Sequence, residues 1–133
     1  MFNNQTVLDA KRIGVLSCPI GTTLGDAARC MVREDISTLV VTDSDGCLAG
    51  IITRTDLLRA LLTAQNWEAR SVEEFMNPEV ITVDPQTKLD QVAQIMLEKH
   101  IHRVVVIRDE DGKKSPISVV SSADLVYHMV KEI

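Results

Sequence analysis

The residues best suited to chemistry are two aspartates, each placed three positions after a hydroxyl side chain. Asp56 follows Thr53 and Asp124 follows Ser121, both after short apolar runs. This is the spacing of a capping box, in which the hydroxyl and the carboxylate satisfy free N–H groups where a helix begins. A helix start also attracts phosphate or sugar oxygens, and an exposed carboxylate accepts hydrogen bonds from two adjacent hydroxyls, as in a ribose. The spacing alone leaves the structural and the binding interpretations both open.

The two aspartates occupy equivalent places in an internal duplication. An offset of 65 residues aligns apolar with apolar positions, and after a three-residue slip an offset of 68 aligns Asp56 with Asp124. We place the repeats at residues 6–64 and 71–133. Each repeat alone would bury only a marginal core, so we expect one compact module with pseudo-twofold symmetry and composite pockets where the repeats meet. Such an arrangement favours binding over catalysis.

Each repeat has the pattern of a β-α-β-β-α unit, which predicts an α/β fold. A capping box at residues 6–9 and again at 71–74 leads into each repeat. A Thr-x-x-Asp pattern, starting at Thr23 and at Thr87, then predicts where each first helix begins. The two threonines are 64 rather than 65 positions apart, which leaves a one-residue shift of the start open. These helices have apolar residues at i, i+3, i+4, i+7 and i+8. The residues are Leu24, Ala27, Ala28, Met31 and Val32, and then Leu89, Val92, Ala93, Met96 and Leu97.

A hairpin and a second helix complete each repeat. Two nearly all-apolar strands, 39–42 and 104–107, lead into acidic turns that end in glycine, and residues 113–115 are expected to lengthen the second turn. The returning strands run directly into helices with broad apolar faces. These faces comprise Leu57, Leu58, Leu61 and Leu62, and then Leu125, Val126, Met129 and Val130. This is more apolar surface than one small module covers, which predicts a homodimer.

Composition argues against several function classes. The net charge of −5 disfavours nucleic-acid binding, and no apolar run approaches the roughly 18 residues of a membrane span. The N-terminus lacks the pattern of a signal peptide, so a cytoplasmic location is expected. Cys18, Cys30 and Cys47 form no C-x-x-C pair, which predicts small buried thiols and no metal site. No nucleophile–base set, Walker loop or catalytic carboxylate pair is discernible, so no enzyme activity and no catalytic cofactor are expected.

The chain has three informative features, namely the duplicated plan, the junction Gly50-Ile-Ile-Thr53-x-x-Asp56 and the segment His102-Arg103-Val-Val-Val-Ile. Taken together, these features resemble a CBS domain pair, or Bateman module. The resemblance spans about residues 6–133, and we interpret the chain as a stand-alone module without a catalytic domain. It implies a flattened α/β module with two clefts between the repeats. Such clefts bind adenosine compounds, namely AMP, ADP, ATP or S-adenosylmethionine, and a protein target of unknown identity senses their occupancy. The rival interpretation is a structural or protein-docking module whose clefts bind no ligand.

The resemblance also implies roles for individual residues. Asp56 and Asp124 would hold ribose hydroxyls, with Thr53 and Ser121 beside the ribose or the phosphate. The backbone of the short first strands would face the adenine, at residues 15–17 and at Val80, Ile81 and Thr82.

A His-Arg pair at the place of His102 and Arg103 contacts phosphate in the gamma subunit of AMP-activated kinase. Arginine offers a bidentate fork to phosphate oxygens, and histidine adds a donor whose charge responds to pH near neutrality. The competing interpretation is that the pair merely solvates a strand entrance.

The two repeats differ where His102 and Arg103 lie. Repeat one has the uncharged Ser37 and Thr38 there. Because the family's clefts draw on both repeats, Asp56 and Thr53 are expected to face His102 and Arg103, and Arg54 is a candidate for a second phosphate contact. Asp124 and Ser121 would then face Ser37 and Thr38. The first cleft is therefore predicted to take a phosphorylated ligand, and the second to hold a neutral adenosine compound or stay empty.

Overall fold

The structure is a computed structural model that describes residues 2–11 and 14–131. The chain divides into two compact units, which we call the first unit (Leu16–Val80) and the second unit (Met1–Val15 with Ile81–Ile133). The elements of the first unit are β1 (Ser17–Pro19), α2 (Leu24–Glu34), β2 (Thr38–Thr42), β3 (Leu48–Thr53), α3 (Arg54–Thr63) and the 3-10 turns Trp67–Ala69 and Val72–Glu74. Those of the second are the 3-10 turn Phe2–Asn4, α1 (Val7–Ala10), β4 (Thr82–Val83), α4 (Leu89–Lys99), β5 (Arg103–Glu110), β6 (Lys113–Ser121) and α5 (Ser122–Lys131).

Each unit contains one three-stranded sheet with the same topology, which confirms the predicted α/β class. In the first unit β1 pairs parallel with β2, and β2 pairs antiparallel with β3. In the second unit β4, β5 and β6 repeat that order. The central strands β2 and β5 are buried through their apolar runs, as expected for strands covered on both faces.

The first helix of each unit packs its apolar stripe into the core. Leu24 and Met31 of α2 are buried, as are Leu89 and Met96 of α4. The stripe is narrower than the spacing predicts, because Val32 and Leu97 at its edge are exposed.

The cap of α2 is at the predicted residue, and the cap of α4 lies one residue after Thr87, the shift that the unequal spacing left open. Thr23 caps α2, with its hydroxyl accepting from the Asp26 N–H at 3.1 Å. In α4 the cap position is Lys88, whose N–H donates to the Gln91 side chain at 3.2 Å. Thr87 instead uses its carbonyl to accept from the Val7 N–H at 2.9 Å. A backbone contact from outside the repeat therefore overrides the local Thr-x-x-Asp signal.

The segments that lead into the two repeats are exchanged between the units. The lead-in of repeat one, residues 2–11, folds onto the second unit, where the Leu89 N–H donates to the Gln5 carbonyl at 3.0 Å. The lead-in of repeat two folds onto the first unit, where the Leu24 N–H donates to the Arg70 carbonyl at 2.7 Å. Both predicted lead-in capping boxes are present. The bounds 6–64 and 71–133 stay a prediction about sequence repeats, since the spatial units cut the chain elsewhere.

Residues 113–115 do not lengthen the second turn as predicted. Lys113, Lys114 and Ser115 lie in β6 and pair with β5, so the insertion lengthens the strands. The turn itself is Asp111-Gly112, whose φ angles of 54° and 84° suit a two-residue hairpin turn.

Within residues 2–11 and 14–131, no helix combines the length and the apolar character that a membrane crossing requires. The same residues contain no group of three or more potential histidine, cysteine or carboxylate metal ligands. Cys18 is buried as expected, whereas Cys30 and Cys47 are only half-buried.

Candidate functional site

The first junction joins β3 to α3 through a complete capping box. Asp56 Oδ2 accepts from the Thr53 N–H at 2.9 Å and from the Thr53 hydroxyl at 3.0 Å. In return, Thr53 Oγ1 accepts from the Asp56 N–H at 3.3 Å. Arg59, one turn along α3, donates from Nη1 to Asp56 Oδ1 at 2.9 Å. The structural interpretation of the motif is therefore confirmed, and the carboxylate is held in a fixed orientation at a helix start.

The glycine of the first junction is required by close packing of the second lead-in. Ile51 and Asn77 exchange two backbone hydrogen bonds of 3.0 and 2.8 Å beside Gly50. A Cβ at Gly50 would lie 2.7 Å from the Asn77 carbonyl oxygen and 2.9 Å from Met76 Sδ. The motif glycine therefore makes room for the backbone of the second lead-in.

The second junction joins β6 to α5 with the same capping geometry and a different cation. Asp124 Oδ2 accepts from the Ser121 N–H at 2.8 Å and from the Ser121 hydroxyl at 3.1 Å. The same oxygen also accepts from Lys11 Nζ at 2.9 Å. Lys11 belongs to the lead-in of repeat one, 113 positions away from Asp124. Sequence reasoning missed this contact because no local spacing signals it.

The surroundings of Asp124 lower its pKa. Burial raises the pKa of the carboxyl. The pKa is lowered by a hydrogen bond from Lys11, by hydrogen bonds from the N–H and hydroxyl of Ser121, and by the charge of Lys11, and these effects together outweigh burial. The net pKa lies below its ordinary value, so the group is a carboxylate at neutral pH.

Replacing Lys11 by methionine is expected to raise the pKa of Asp124, because it removes a hydrogen bond and a positive charge. A depressed folded-state pKa stabilises the fold above the unfolded value of about 3.9, and that contribution is lost as the pH falls through the folded value. The variant should therefore lose less stability on acidification than the natural protein. Carbon NMR of the Asp124 carboxyl measures the pKa directly, with the exposed Lys99→Met as the charge-matched control. An unchanged Asp124 pKa in Lys11→Met would contradict the assignment.

The first unit gathers the other candidates of repeat one at the same junction. Thr38 lies opposite Thr53 in the β2–β3 register, and the Ser37 carbonyl accepts from the Arg54 N–H at 3.1 Å. The Thr38 hydroxyl is buried and has no hydrogen-bond partner among the described residues. The Arg54 guanidinium lies 3.6 Å from Asp35 Oδ1, and both side chains are exposed.

The second unit places the His-Arg pair beside its own junction. Arg103 lies opposite Ser121 in the β5–β6 register, and the His102 carbonyl accepts from the Ser122 N–H at 2.8 Å. The His102 side chain is exposed and lines an open cavity of about 420 Å³. The other lining residues are Met96, Leu97, His100, Ile101 and Ser122. His100 is the C-terminal cap of α4 and has a φ of 54°.

The stretch expected to face an adenine is divided between the units. Val80 ends the first unit, whereas Ile81 and Thr82 begin the body of the second. The Ile81 carbonyl accepts from the Val105 N–H at 3.1 Å, so it belongs to the sheet. The roles of these residues toward a ligand stay a prediction.

The duplicated capping junctions and the repeated sheet topology agree with a known family. The family model named CBS domain matches residues 8–63 and residues 72–131. The chain belongs to the CBS domain family. The two matches along one chain make it a CBS domain pair, a module of generally regulatory character.

Two curated proteins illustrate how far the similarity extends. A mitochondrial CBS domain-containing protein of Arabidopsis thaliana, CBSX3, is 34% identical over 122 residues, which cover 88% of this chain and 57% of that protein. The transcriptional repressor CcpN of Bacillus subtilis is 31% identical over 107 residues, which cover 79% of this chain and 50% of the repressor. The chain therefore spans only about half the length of these relatives.

A solved structure matches along almost its whole length. The CBS domain pair of protein MJ0100, in complex with 5′-methylthioadenosine and S-adenosyl-L-methionine, superposes with a TM-score of 0.83 at 27% identity. The match covers 97% of this chain and 98% of that one. The expected CBS-pair fold is thus confirmed.

Proposed function

We propose that this CBS domain pair is a sensor of adenosine-type ligands, namely AMP, ADP, ATP or S-adenosylmethionine, with no reaction of its own. The observation that carries the proposal is the carboxylate fixed at the start of a helix in both units, at Asp56 and at Asp124. The MJ0100 pair, which has the same fold, binds two adenosine compounds, and this supports the ligand class.

The capping geometry suits a carboxylate for ribose recognition. Each carboxylate is held through Oδ2, so its second oxygen is already oriented and binding costs little side-chain entropy. At Asp56 that second oxygen is paired with Arg59, whose side chain is 58% exposed. A cation beside the carboxylate also lowers its repulsion toward an anionic nucleotide.

The phosphate of a nucleotide is assigned to the basic side chains. We propose that Arg103, with His102, binds a nucleotide phosphate, and that Arg54 is a further candidate phosphate contact. We propose that Thr53 and Ser121 lie beside the ribose or the phosphate. The backbone of Val80, Ile81 and Thr82 is proposed to face the adenine. The proposed compartment is the cytoplasm, whose reducing conditions suit the three free cysteines.

Isothermal titration calorimetry with AMP, ATP and S-adenosylmethionine tests the proposal. At least one of the three should bind with a micromolar dissociation constant, equivalent to roughly −8 kcal/mol. GMP provides the matched control for the base, and it should bind at least about tenfold more weakly. Absence of binding by all three adenosine compounds would refute the proposal.

The rival is a protein-docking module, and exposed apolar helix faces favour it. Leucines of α3 are exposed, with 61% of Leu58 and 83% of Leu62 open to solvent. In the second unit, α4 and α5 border an apolar groove of about 420 Å³ that includes Leu97 and Met129.

We propose that a second copy of the chain covers the exposed apolar faces of α3, α4 and α5. Sedimentation velocity at micromolar concentration should show a dimer, and a strict monomer would contradict this assignment.

A further inference from the structure

The lead-in of repeat one is attached to the second unit by both backbone and side chains. Phe2 and Val7 are buried in the second unit's core. The Val7 N–H donates to the Thr87 carbonyl at 2.9 Å. The short helix α1 has only four residues, too few to be stable alone, so its order depends on these contacts.

Two polar contacts from α5 hold the end of this lead-in. Lys11 Nζ lies 2.9 Å from Asp124 Oδ2, and His128 Nε2 lies 2.8 Å from the Ala10 carbonyl oxygen. His128 is 7% exposed, consistent with a structural contact. Lys11, by contrast, ends at the carboxylate that is the ribose candidate of the second unit.

The geometry leaves Asp124 able to bind a ligand while it is paired with Lys11. Every hydrogen bond that the described residues give to this carboxylate ends on Oδ2. With respect to residues 2–11 and 14–131, Oδ1 is therefore available for a ligand hydroxyl. The Lys11 ammonium has three donors and uses one of them on Asp124. The side chains of Lys11 and Asp124 are 37% and 31% exposed, so solvent and ligands reach the pair.

Among the described residues, no cation of a lead-in pairs with the junction carboxylate of the first unit. There the cation on the carboxylate is Arg59, which belongs to the same helix as Asp56. At the offset of 65 residues, the counterpart of Lys11 is Met76, an uncharged residue packed against the first unit's core. The pairing of a lead-in cation with the junction carboxylate is therefore peculiar to the second unit.

We propose that Lys11 is a residue of the Asp124 site and links occupancy of that site to docking of residues 2–11. A ligand with adjacent hydroxyls and a phosphate would bind Asp124 Oδ1 and the remaining Lys11 donors together. Binding would then tighten the lead-in, and by reciprocity a docked lead-in would tighten binding. The inference rests on the proposed function, and it gives the Asp124 site a positive charge that Ser37 and Thr38 lack.

Hydrogen exchange of the lead-in, measured on peptides covering residues 2–11, tests the link. The variants are Lys11→Met and, as control, Lys99→Met at the exposed end of α4. Without ligand, Lys11→Met should exchange about fivefold faster than the natural protein, the size expected of one partly exposed ion pair. Lys99→Met should not differ. With saturating AMP, the lead-in of the natural protein should exchange about fivefold slower, and that of Lys11→Met should not slow.

Three results would overturn the inference. The first is ligand-free exchange in Lys11→Met equal to that in Lys99→Met. The second is AMP slowing the lead-in of Lys11→Met as much as that of the natural protein. The third is calorimetric AMP binding by Asp56→Asn, in which the Asp124 site is intact, with no slowing of its lead-in. If AMP gives no calorimetric signal, the proposed function fails for AMP and the link to a ligand falls with it. The ligand-free comparison still decides whether Lys11 anchors the lead-in.

Discussion

Asp56→Asn is expected to weaken AMP binding by about 100-fold. Asparagine is nearly isosteric, but it loses the charge that accepts two ribose hydroxyls, and hydrogen bonds to charged groups contribute roughly 1.5–3 kcal/mol each. Because about 1.4 kcal/mol corresponds to a tenfold change in affinity, losing that charge should raise the dissociation constant by about 100-fold. Calorimetric titration of AMP into the folded variant measures the change in affinity.

Asp26→Asn is the matched control for this substitution. Asp26 lies at the start of α2 and pairs with Arg29 three residues later, as Asp56 pairs with Arg59. It is 63% exposed and belongs to no candidate site, so AMP binding should not change. Equal affinities in Asp56→Asn and Asp26→Asn would remove Asp56 from the proposed site.

Titration with AMP and with adenosine tests whether Arg103 binds the phosphate. Arg103→Ala should weaken AMP binding but leave adenosine binding unchanged, because adenosine carries no phosphate for the guanidinium to bind. Equal weakening of AMP and adenosine binding, or no weakening of AMP binding, would remove Arg103 from the proposed phosphate contacts.

Gly50→Ala is expected to destabilise the fold by about 2 kcal/mol without adding or removing any polar group. The added methyl would lie 2.7 Å from the Asn77 carbonyl oxygen, a backbone atom fixed by its pairing with Ile51. Forcing extra atoms into a packed site typically costs about 1–3 kcal/mol of stability, and the expected loss of about 2 kcal/mol lies within that range. Urea denaturation, with midpoint and slope fitted separately, measures the loss.

Gly21→Ala is the control for this substitution. A Cβ at Gly21 meets no heavy atom within 4 Å, and its backbone is outside the left-handed region. It should be neutral or stabilising by up to about 0.5 kcal/mol, through the unfolded chain. If Gly50→Ala were as stable as Gly21→Ala, the lead-in would not pack against this strand as described.

The features that the sequence predicted correctly are those set by neighbouring residues. The capping boxes at Thr53 and Ser121 follow from a hydroxyl and a carboxylate three residues apart. The helix faces follow from apolar spacing, and the buried central strands from β-branched runs. The duplication then indicated that both units would have the same elements, which the two sheets confirm.

The features it missed depend on contacts between distant residues. The hydrogen bond from the Leu24 N–H to the Arg70 carbonyl involves backbone alone, so no side-chain pattern encodes it. The pairing of Lys11 with Asp124 joins residues 113 positions apart. The longer hairpin was open to prediction, since Asp111-Gly112 is a strong two-residue turn signal that outweighs the inserted Lys113.

The most direct test of ligand sensing is calorimetric titration of AMP, ATP and S-adenosylmethionine into the natural protein and into the Asp56→Asn, Asp124→Asn double variant. We expect saturable binding of at least one compound by the natural protein, and loss of that binding in the double variant while the protein remains folded by circular dichroism. No binding of any of the three compounds to the natural protein, or undiminished binding to the double variant, would contradict the account.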